Sequence, residues 1–199
     1  GMIEIAKANR SSDGFSLIEL IIIISIIGIL SSIALVNLSS SRSKSRLLAT
    51  TRNLENWLSE QRSYAKTHNL TCLITIDHAN KRLISTQYPG QSNQACTGNG
   101  SDTEARFFDL AENYGSGSEK LSLISTPSTD PSHSDGGILF SLQGFSQNHQ
   151  LESKGILELK LSHNDLQEQR CIRIISPIGM IRDGRTLGND PQCRYDNPS

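Results

Sequence analysis

The sequence predicts an α+β protein in which a long N-terminal α-helix, with a membrane-spanning first half, packs on an antiparallel β-sheet head. Three observations predict this fold class. Residues 15–38 form a continuous apolar run, residues 39–68 continue with helical periodicity and without Gly or Pro, and residues 69–199 are polar and rich in strand signals. The chain therefore divides into a membrane helix, an amphipathic continuation of it, and a β-rich head.

Composition excludes several classes of protein. The chain has 199 residues, with 19 basic and 20 acidic side chains and a formal net charge of −1. A charge this close to zero excludes a globally basic nucleic-acid binder and an acidic disordered tail. The apolar residues concentrate in the run 15–38, so the rest of the chain is dominated by Ser, Thr, Asn and Gln.

The apolar run is long enough to cross a bilayer. As a helix it would span about 36 Å, whereas a hydrocarbon core is about 30 Å thick. Three interpretations follow. The run is a cleaved secretory signal, for which Ser32-Ile33-Ala34 loosely resembles a cleavage site, or a permanent single-pass anchor, or a helix that leaves the membrane for an assembly.

Glu19 is the only charged residue of this run, and it favours the third interpretation. A carboxylate near the centre of a bilayer costs about 2.5 to 3.5 kcal/mol, and such a residue is a functional candidate by default. It needs a cationic partner, yet no Lys or Arg lies between Ser11 and Ser41. Cleavage before Phe15 would create an α-amine at the start of this helix, in the same chain or in a neighbouring one.

The residues around this point resemble a known signal. Gly14-Phe15-Ser16-Leu17-Ile18-Glu19-Leu20, after the polar leader 1–14, is similar to the class III signal of type IV pilins and type II secretion pseudopilins. The resemblance implies a type IV pilin-like fold and cleavage after Gly14 by prepilin peptidase. It implies that Phe15 becomes the N-methylated mature N-terminus and that Glu19 aids assembly. The implied partners are prepilin peptidase, other pilin or pseudopilin subunits and an inner-membrane assembly platform.

The helix is expected to continue through residues 39–68. An apolar and small-polar stripe recurs there at steps of three and four residues, and it consists of Leu47, Thr51, Leu54, Leu58, Gln61 and Ala65. Trp57 and Tyr64 widen the stripe and are interpreted as core residues. Charged side chains occupy much of the opposite face, so this half of the helix can cover a sheet.

The head, residues 69–199, is expected to form one antiparallel sheet against the exposed half of the helix. Residues 70–76 and 81–88 flank a turn and predict a hairpin. Further strands are expected at 121–125, 138–142, 156–161 and 171–175. Residues 91–117 look like a loop with a short apolar patch at Phe107-Phe108, and Pro127 to Gly137 predicts a surface loop.

Three segments of the mature chain resemble GspH-type minor pseudopilins and FimT-type minor pilins. They are residues 62–74, 138–144 and 170–185. The resemblance implies a structural minor subunit that is incorporated into a type IV pilus or a type II secretion pseudopilus. Its helix would lie in the inner membrane, with the head in the periplasm, before entering the filament. A permanently anchored surface adhesin without an assembly role is the competing class.

Four cysteines, at 72, 96, 171 and 193, would lie on the extracytoplasmic side, where an even number predicts disulfides. Three pairings are possible, and the sequence-local choice joins Cys72 to Cys96 and Cys171 to Cys193. Each bond would close a loop of about 25 residues and stabilise the fold by roughly 3 kcal/mol. Because no Cys-x-x-Cys spacing occurs, we expect no zinc site or thiol redox chemistry.

The sequence shows little sign of catalysis. His68, His78, His133, His149 and His163 are scattered and lack metal-ligand or nucleophile-elbow spacing, so they are interpreted as exposed polar residues. We expect no enzymatic activity, no cofactor and no metal, and the chain is instead a substrate of processing enzymes.

Arginines concentrate near the C-terminus, where Arg182, Arg185 and Arg194 are candidate DNA contacts because a guanidinium binds phosphate in a bidentate manner. FimT-like minor pilins are associated with DNA uptake through a Gly-Arg-x-Arg type of sequence. Here Gly184-Arg185-Thr186-Leu187 lacks the second arginine. A solvated sheet edge with structural ion pairs is the simpler interpretation, and DNA binding remains the alternative.

Overall fold

The computed structural model describes residues 16–88, 96, 106–126, 137–142, 144–147, 156–176, 178–188 and 190–195. The chain forms two compact units, Gly1–Ser41 and Arg42–Ser199. A long N-terminal helix precedes antiparallel β-sheets, which confirms the predicted α+β class and is consistent with a type IV pilin-like fold.

The first unit contains the start of helix α1 (Leu17–His68). Its large apolar side chains are exposed from Leu17 to Leu30. Within the described part of the chain, no helix combines the length and the apolarity needed to cross a membrane. Phe15 and the side chains of residues 32–37 lie outside the described part. The membrane-spanning interpretation of residues 15–38 stays a prediction.

In the second unit, α1 buries the face that the sequence predicts. All six residues of the stripe are at most 1% exposed, and they are Leu47, Thr51, Leu54, Leu58, Gln61 and Ala65. The helix ends in a left-handed turn, because Asn69 has φ of 51° and the Leu70 amide donates to the Ala65 carbonyl at 3.0 Å. This bond satisfies a carbonyl that the last helical turn leaves without a partner.

Within the described residues, sheet A has five strands, which in chain order are β1 (Thr71–Asp77), β2 (Arg82–Tyr88), β3 (Arg106–Asp109), β5 (Ile138–Ser141) and β6 (Gly144–Gln147). Their order across the sheet is β3-β2-β1-β5-β6. The β1–β2 hairpin confirms the predicted one, and its turn places Lys81 at φ of 52°. Alternate residues of β1 are buried, so one face of the sheet contributes to the core.

Sheet B also has five strands in the part of the chain that the structure describes, and in chain order they are β4 (Leu121–Thr126), β7 (Ile156–His163), β8 (Arg170–Ile175), β9 (Met180–Arg185) and β10 (Arg194–Tyr195). Their order across the sheet is β10-β9-β8-β7-β4. A short helix, α2 (Leu110–Tyr114), precedes β4. The Asp109 side chain caps α2 by accepting a hydrogen bond from the Glu112 amide at 2.9 Å.

The prediction of a single sheet is wrong, since the strands divide between two. Alternation along a strand shows which residues face the core but not which strand lies beside it. The loop assigned to residues 91–117 is also wrong in part, because β3 and α2 lie within it. The sequence further missed β6, β9 and β10, which are short or rich in charge and glycine.

The core joins the inner face of α1 to both sheets, and Leu58, Ile74, Phe140, Leu159 and Ile172 all lie in one buried cluster. Trp57 and Tyr64 pack against this cluster, as predicted. The centroid of the Trp57 ring lies 5.9 Å from the centroid of the Phe108 ring. A buried hydrogen bond of 2.8 Å from the Ser85 hydroxyl to the Gln61 side-chain oxygen crosses from sheet A to the helix.

Both disulfides pair as the sequence-local choice predicts. Cys72 bonds to Cys96 and Cys171 bonds to Cys193, with Cα separations of 5.6 and 6.2 Å. The first bond anchors Cys96 to strand β1 of sheet A. The second ties the C-terminal residues to strand β8 of sheet B.

Candidate functional site

The first candidate site is the start of α1. Glu19 lies in the first helical turn, and its amide donates to the Ser16 carbonyl at 3.0 Å. A negative charge is favourable at this end of a helix, because the amides there carry partial positive charge. Gly14 and Phe15, the residues of the predicted cleavage site, lie outside the described residues.

Exposed apolar side chains surround Glu19. Leu17, Ile18 and Leu20 are 75%, 66% and 55% exposed, and the pattern continues on all sides of the helix through Leu30. An exposed apolar surface of this extent is typical of a protein or membrane interface. When such an interface forms, the Glu19 carboxylate also loses water, and an unpaired buried charge is costly. A cation at the height of Glu19 would offset this cost.

The second candidate site is a row of arginines across sheet B. Arg185 of β9 lies directly opposite Arg170 of β8 and Arg194 of β10, so all three share one face of the sheet. Arg170 pairs with Glu168 at 2.8 Å, and Arg194 pairs with Asp190 at 3.4 Å. Arg185 is exposed and has no carboxylate partner among the described residues. Because Glu168 and Asp190 already neutralise its two neighbours, Arg185 is the member of this row that remains available to an external anion.

The three predicted DNA contacts do not share one surface. Arg182 lies three positions before Arg185 along β9, so strand alternation points it to the opposite face. There it lies opposite Arg173 rather than opposite Arg194. The structure thus brings Arg185 and Arg194 together and separates Arg182 from them.

Arg173 belongs to a network centred on Glu158, on the same face as Arg182. The Tyr195 hydroxyl donates to Glu158 Oε2 at 2.6 Å, Lys160 Nζ lies 3.4 Å from Oε1, and Arg173 Nη2 lies 3.4 Å from Oε2. The guanidinium carbon of Arg173 lies 3.8 Å from the centroid of the Tyr195 ring, a cation–π contact. We call these four residues the Glu158 network.

The network changes the acidity of its members. Burial opposes the charge of Glu158, but the hydrogen bonds from Tyr195, Lys160 and Arg173 outweigh it, so the pKa of the carboxyl falls below its ordinary value. Burial, reinforced by the bond to Glu158, raises the pKa of the Tyr195 phenol. At neutral pH the carboxylate is therefore charged and the phenol remains a donor.

Glu158→Gln tests the contribution of this charge to stability. Folding lowers the pKa of the Glu158 carboxyl, so its charge stabilises the folded protein fully at pH values above its pKa in the unfolded chain, about 4.3. This stabilisation disappears as the pH falls through the pKa that the carboxyl has in the folded protein. We expect the variant to lose roughly 1.5–3 kcal/mol at pH 7 and to approach the wild type in acid. Urea unfolding of both proteins at several pH values between neutral and acid measures this difference. A difference that stays constant with pH would contradict the assignment.

Gly184 makes room for the last strand. A Cβ added there would lie 2.6 Å from the Arg194 carbonyl oxygen and 2.7 Å from Tyr195 Cδ1, too close for real atoms. We expect Gly184→Ala to cost roughly 1–3 kcal/mol by displacing β10 and the Tyr195 ring from sheet B. Hydrogen exchange of the Arg194 and Tyr195 amides would then accelerate, and unchanged protection would contradict this role for Gly184.

The histidines do not form a common site in the described structure. His68 stacks on Tyr64 at the end of α1, and His78 is exposed in the β1–β2 turn. The prediction of an exposed His163 is wrong, because it is only 3% exposed and stacks on Tyr114 with 5.3 Å between ring centroids. His133 and His149 lie outside the described residues. Across the described ranges, no group of His, Cys, Asp or Glu is arranged to hold a metal ion.

Sequence reasoning missed the Glu158 network as a unit. Its residues come from β7, β8 and β10, and Glu158 and Tyr195 lie 37 positions apart in the chain. The alternation of β7 does give one signal, because Leu157, Leu159 and Leu161 are buried while Glu158 and Lys160 face the other way. That pattern identifies an outward face, but only the strand order shows what lies beside it.

Comparison with known proteins identifies the N-terminal segment. A family described as the prokaryotic N-terminal methylation motif matches residues 9–35, which include Gly14, Phe15 and Glu19. Neither the curated proteins nor the solved structures contain a match to this chain. The matched motif is a type IV prepilin signal, which implies processing by prepilin peptidase and assembly with other pilins. Together with the helix and antiparallel sheets, it supports a type IV pilin-like protein.

Proposed function

We propose that the protein is a minor pilin or pseudopilin that enters a helical filament through α1. The observation that carries this proposal is the prepilin signal at residues 9–35, in which Glu19 stands alone in an exposed apolar helix. Such a helix is stable only where lipid or other helices cover it. A filament of similar subunits provides that cover after the membrane stage.

The proposed route has a membrane stage and a filament stage. Prepilin peptidase removes the leader 1–14 at the inner membrane, and Phe15 is N-methylated. Residues 15–38 hold the subunit in the membrane with the head in the periplasm. The assembly platform then moves the helix into the filament core, where the Glu19 carboxylate meets the α-amine of Phe15 in its own chain or a neighbour. The subunit acts structurally, without catalysis, cofactor or metal.

We further propose a GspH-type or FimT-type minor subunit. Support comes from the three segments that resemble these proteins, residues 62–74, 138–144 and 170–185. The first covers the end of α1 and the start of β1, the second covers β5 and the first residue of β6, and the third covers β8 and β9. The resemblance therefore concerns the helix end, one strand of sheet A and one hairpin of sheet B.

Mass spectrometry of the mature N-terminus tests the proposed processing. We expect a chain that begins with methylated Phe15, and Gly14→Val should remain uncut because a branched side chain blocks close approach to the backbone. A chain that retains its leader and still reaches the surface would support a permanently anchored adhesin. A chain that begins near Ala34 would support an ordinary secretory signal. Either result would overturn the proposal.

DNA binding is the second candidate function, and the position of Arg185 is the observation that favours it. Arg185 is exposed between two other guanidiniums, which suits a phosphate. In this form the contact involves Arg185 and Arg194 and leaves out Arg182. A FimT-like role in DNA uptake would be its biological setting.

A salt-dependent shift of duplex DNA by the purified protein measures this second function. Because Arg182 faces the other side of the sheet, Arg182→Gln is a matched control with the same change of charge. We expect Arg185→Gln to weaken binding and the control to bind nearly as well as the wild type. The absence of binding at low salt, or equal losses in the two variants, would exclude the site.

A further inference from the structure

Exposed cations follow the apolar run of α1. Arg42 and Lys44 lie four and six residues after Leu38, and both are exposed. No Asp or Glu occurs between Glu19 and Glu55. This stretch of helix is therefore positively charged, with no carboxylate of its own to neutralise it.

The next cation along α1 is already bound within the head. Arg46 Nη1 donates to the Ser116 carbonyl at 2.7 Å. No ion pair or side-chain hydrogen bond involves Arg42 or Lys44 within the described ranges. These two side chains are thus available to an external partner, whereas Arg46 is not.

The directions of the two cations indicate the shape of that partner. At about 100° per residue, Lys44 points to nearly the opposite side of the helix from Arg42. A protein that docks on one face of α1 could neutralise one of them but not both. A bilayer surface surrounds a helix that crosses it, so it can contact both at the same height.

We propose that Arg42 and Lys44 bind the phosphate groups of anionic phospholipids at the periplasmic surface of the inner membrane before assembly. The inference rests on the proposed function, since it requires the apolar run to lie in the bilayer. The long side chains of Arg and Lys keep their charges in the headgroup region while their methylene groups contact apolar surface. The pair fixes the height of the subunit, and leaving the membrane breaks these contacts.

The test measures transfer of the full-length protein from non-ionic detergent micelles into vesicles, recovered by flotation. One set of vesicles contains phosphatidylcholine alone and the other contains phosphatidylcholine with phosphatidylglycerol. The apolar helix contributes equally in both, so the ratio of transfer isolates the headgroup charge. At low salt we expect the wild type to prefer anionic vesicles, and Arg42→Gln with Lys44→Gln to reduce that preference by about 25-fold, or about fivefold per cation.

Arg52→Gln with Lys66→Gln is the matched control, because it removes the same number of charges from exposed positions further along the same helix. It should retain the wild-type preference. Equal transfer of the wild type into both kinds of vesicle would overturn this inference alone. An equal loss in the control would overturn it too, since the effect would then be one of total charge. Failure to enter either kind of vesicle would instead overturn the membrane stage of the proposed function.

Discussion

Replacing Glu19 with Gln is expected to reduce incorporation of the subunit into filaments by roughly 100-fold or more. In the proposed filament core apolar neighbours would surround the helix, and the α-amine of Phe15 would lose its counter-charge there. Removing one partner of a buried ion pair costs about 3–5 kcal/mol, and each 1.4 kcal/mol is a factor of ten. Immunoblotting of sheared filaments against the membrane pool measures the incorporated fraction.

Ser25→Ala is the matched control for this change. Ser25 is a polar residue of the same apolar run, but its hydroxyl donates to the Ile21 carbonyl of the same helix at 2.7 Å. Removing it leaves no buried charge, so incorporation should stay close to normal. Cleavage and methylation of both variants are checked by mass spectrometry. Normal incorporation of a correctly processed Glu19→Gln subunit would contradict the proposed role of the carboxylate.

Leu58→Ala is expected to lower the free energy of unfolding of the head by about 2–5 kcal/mol. Leu58 is fully buried in the core that joins α1 to both sheets. A domain has only about 5–15 kcal/mol of stability, so the loss is a large fraction of it. Trp57 is the only tryptophan of the chain, and it packs near Phe108, so its fluorescence during urea unfolding reports on this core directly.

Ser63→Ala is the control for the core substitution, since Ser63 lies exposed on the same helix. Its effect should stay within about 0.5 kcal/mol. A loss below about 1 kcal/mol in Leu58→Ala would show that the inner face of α1 contributes little to the stability of the head.

Periodicity predicted the helix and its buried face because both are local. From Leu47 to Ala65 each core position follows the last by three or four residues, and a helix converts that spacing into one face without help from distant residues. Glu19 was found by a similar local contrast, as one charge in an apolar run. The disulfide pairing also followed from proximity along the chain.

The sheet arrangement depends on contacts that the sequence does not display locally. Ser85 reads as a polar strand residue, yet it is fully buried because Gln61 of α1 accepts its hydrogen bond. His163 is buried because Tyr114, 49 positions earlier, covers it. The placement of Arg194 beside Arg185 likewise follows from the register of β9 with β10. Each of these outcomes is set by pairing across long distances in the chain.

The attachment of residues 190–195 to sheet B has a consequence for the order of folding during synthesis. Every strand of sheet A has been translated by Gln147, whereas sheet B lacks its edge strand and its disulfide partner until Tyr195 and Cys193 leave the ribosome. Sheet B therefore cannot be completed before these last residues are available. A stop codon before Cys193 would deprive sheet B of its final strand, its covalent link and the phenol that binds Glu158.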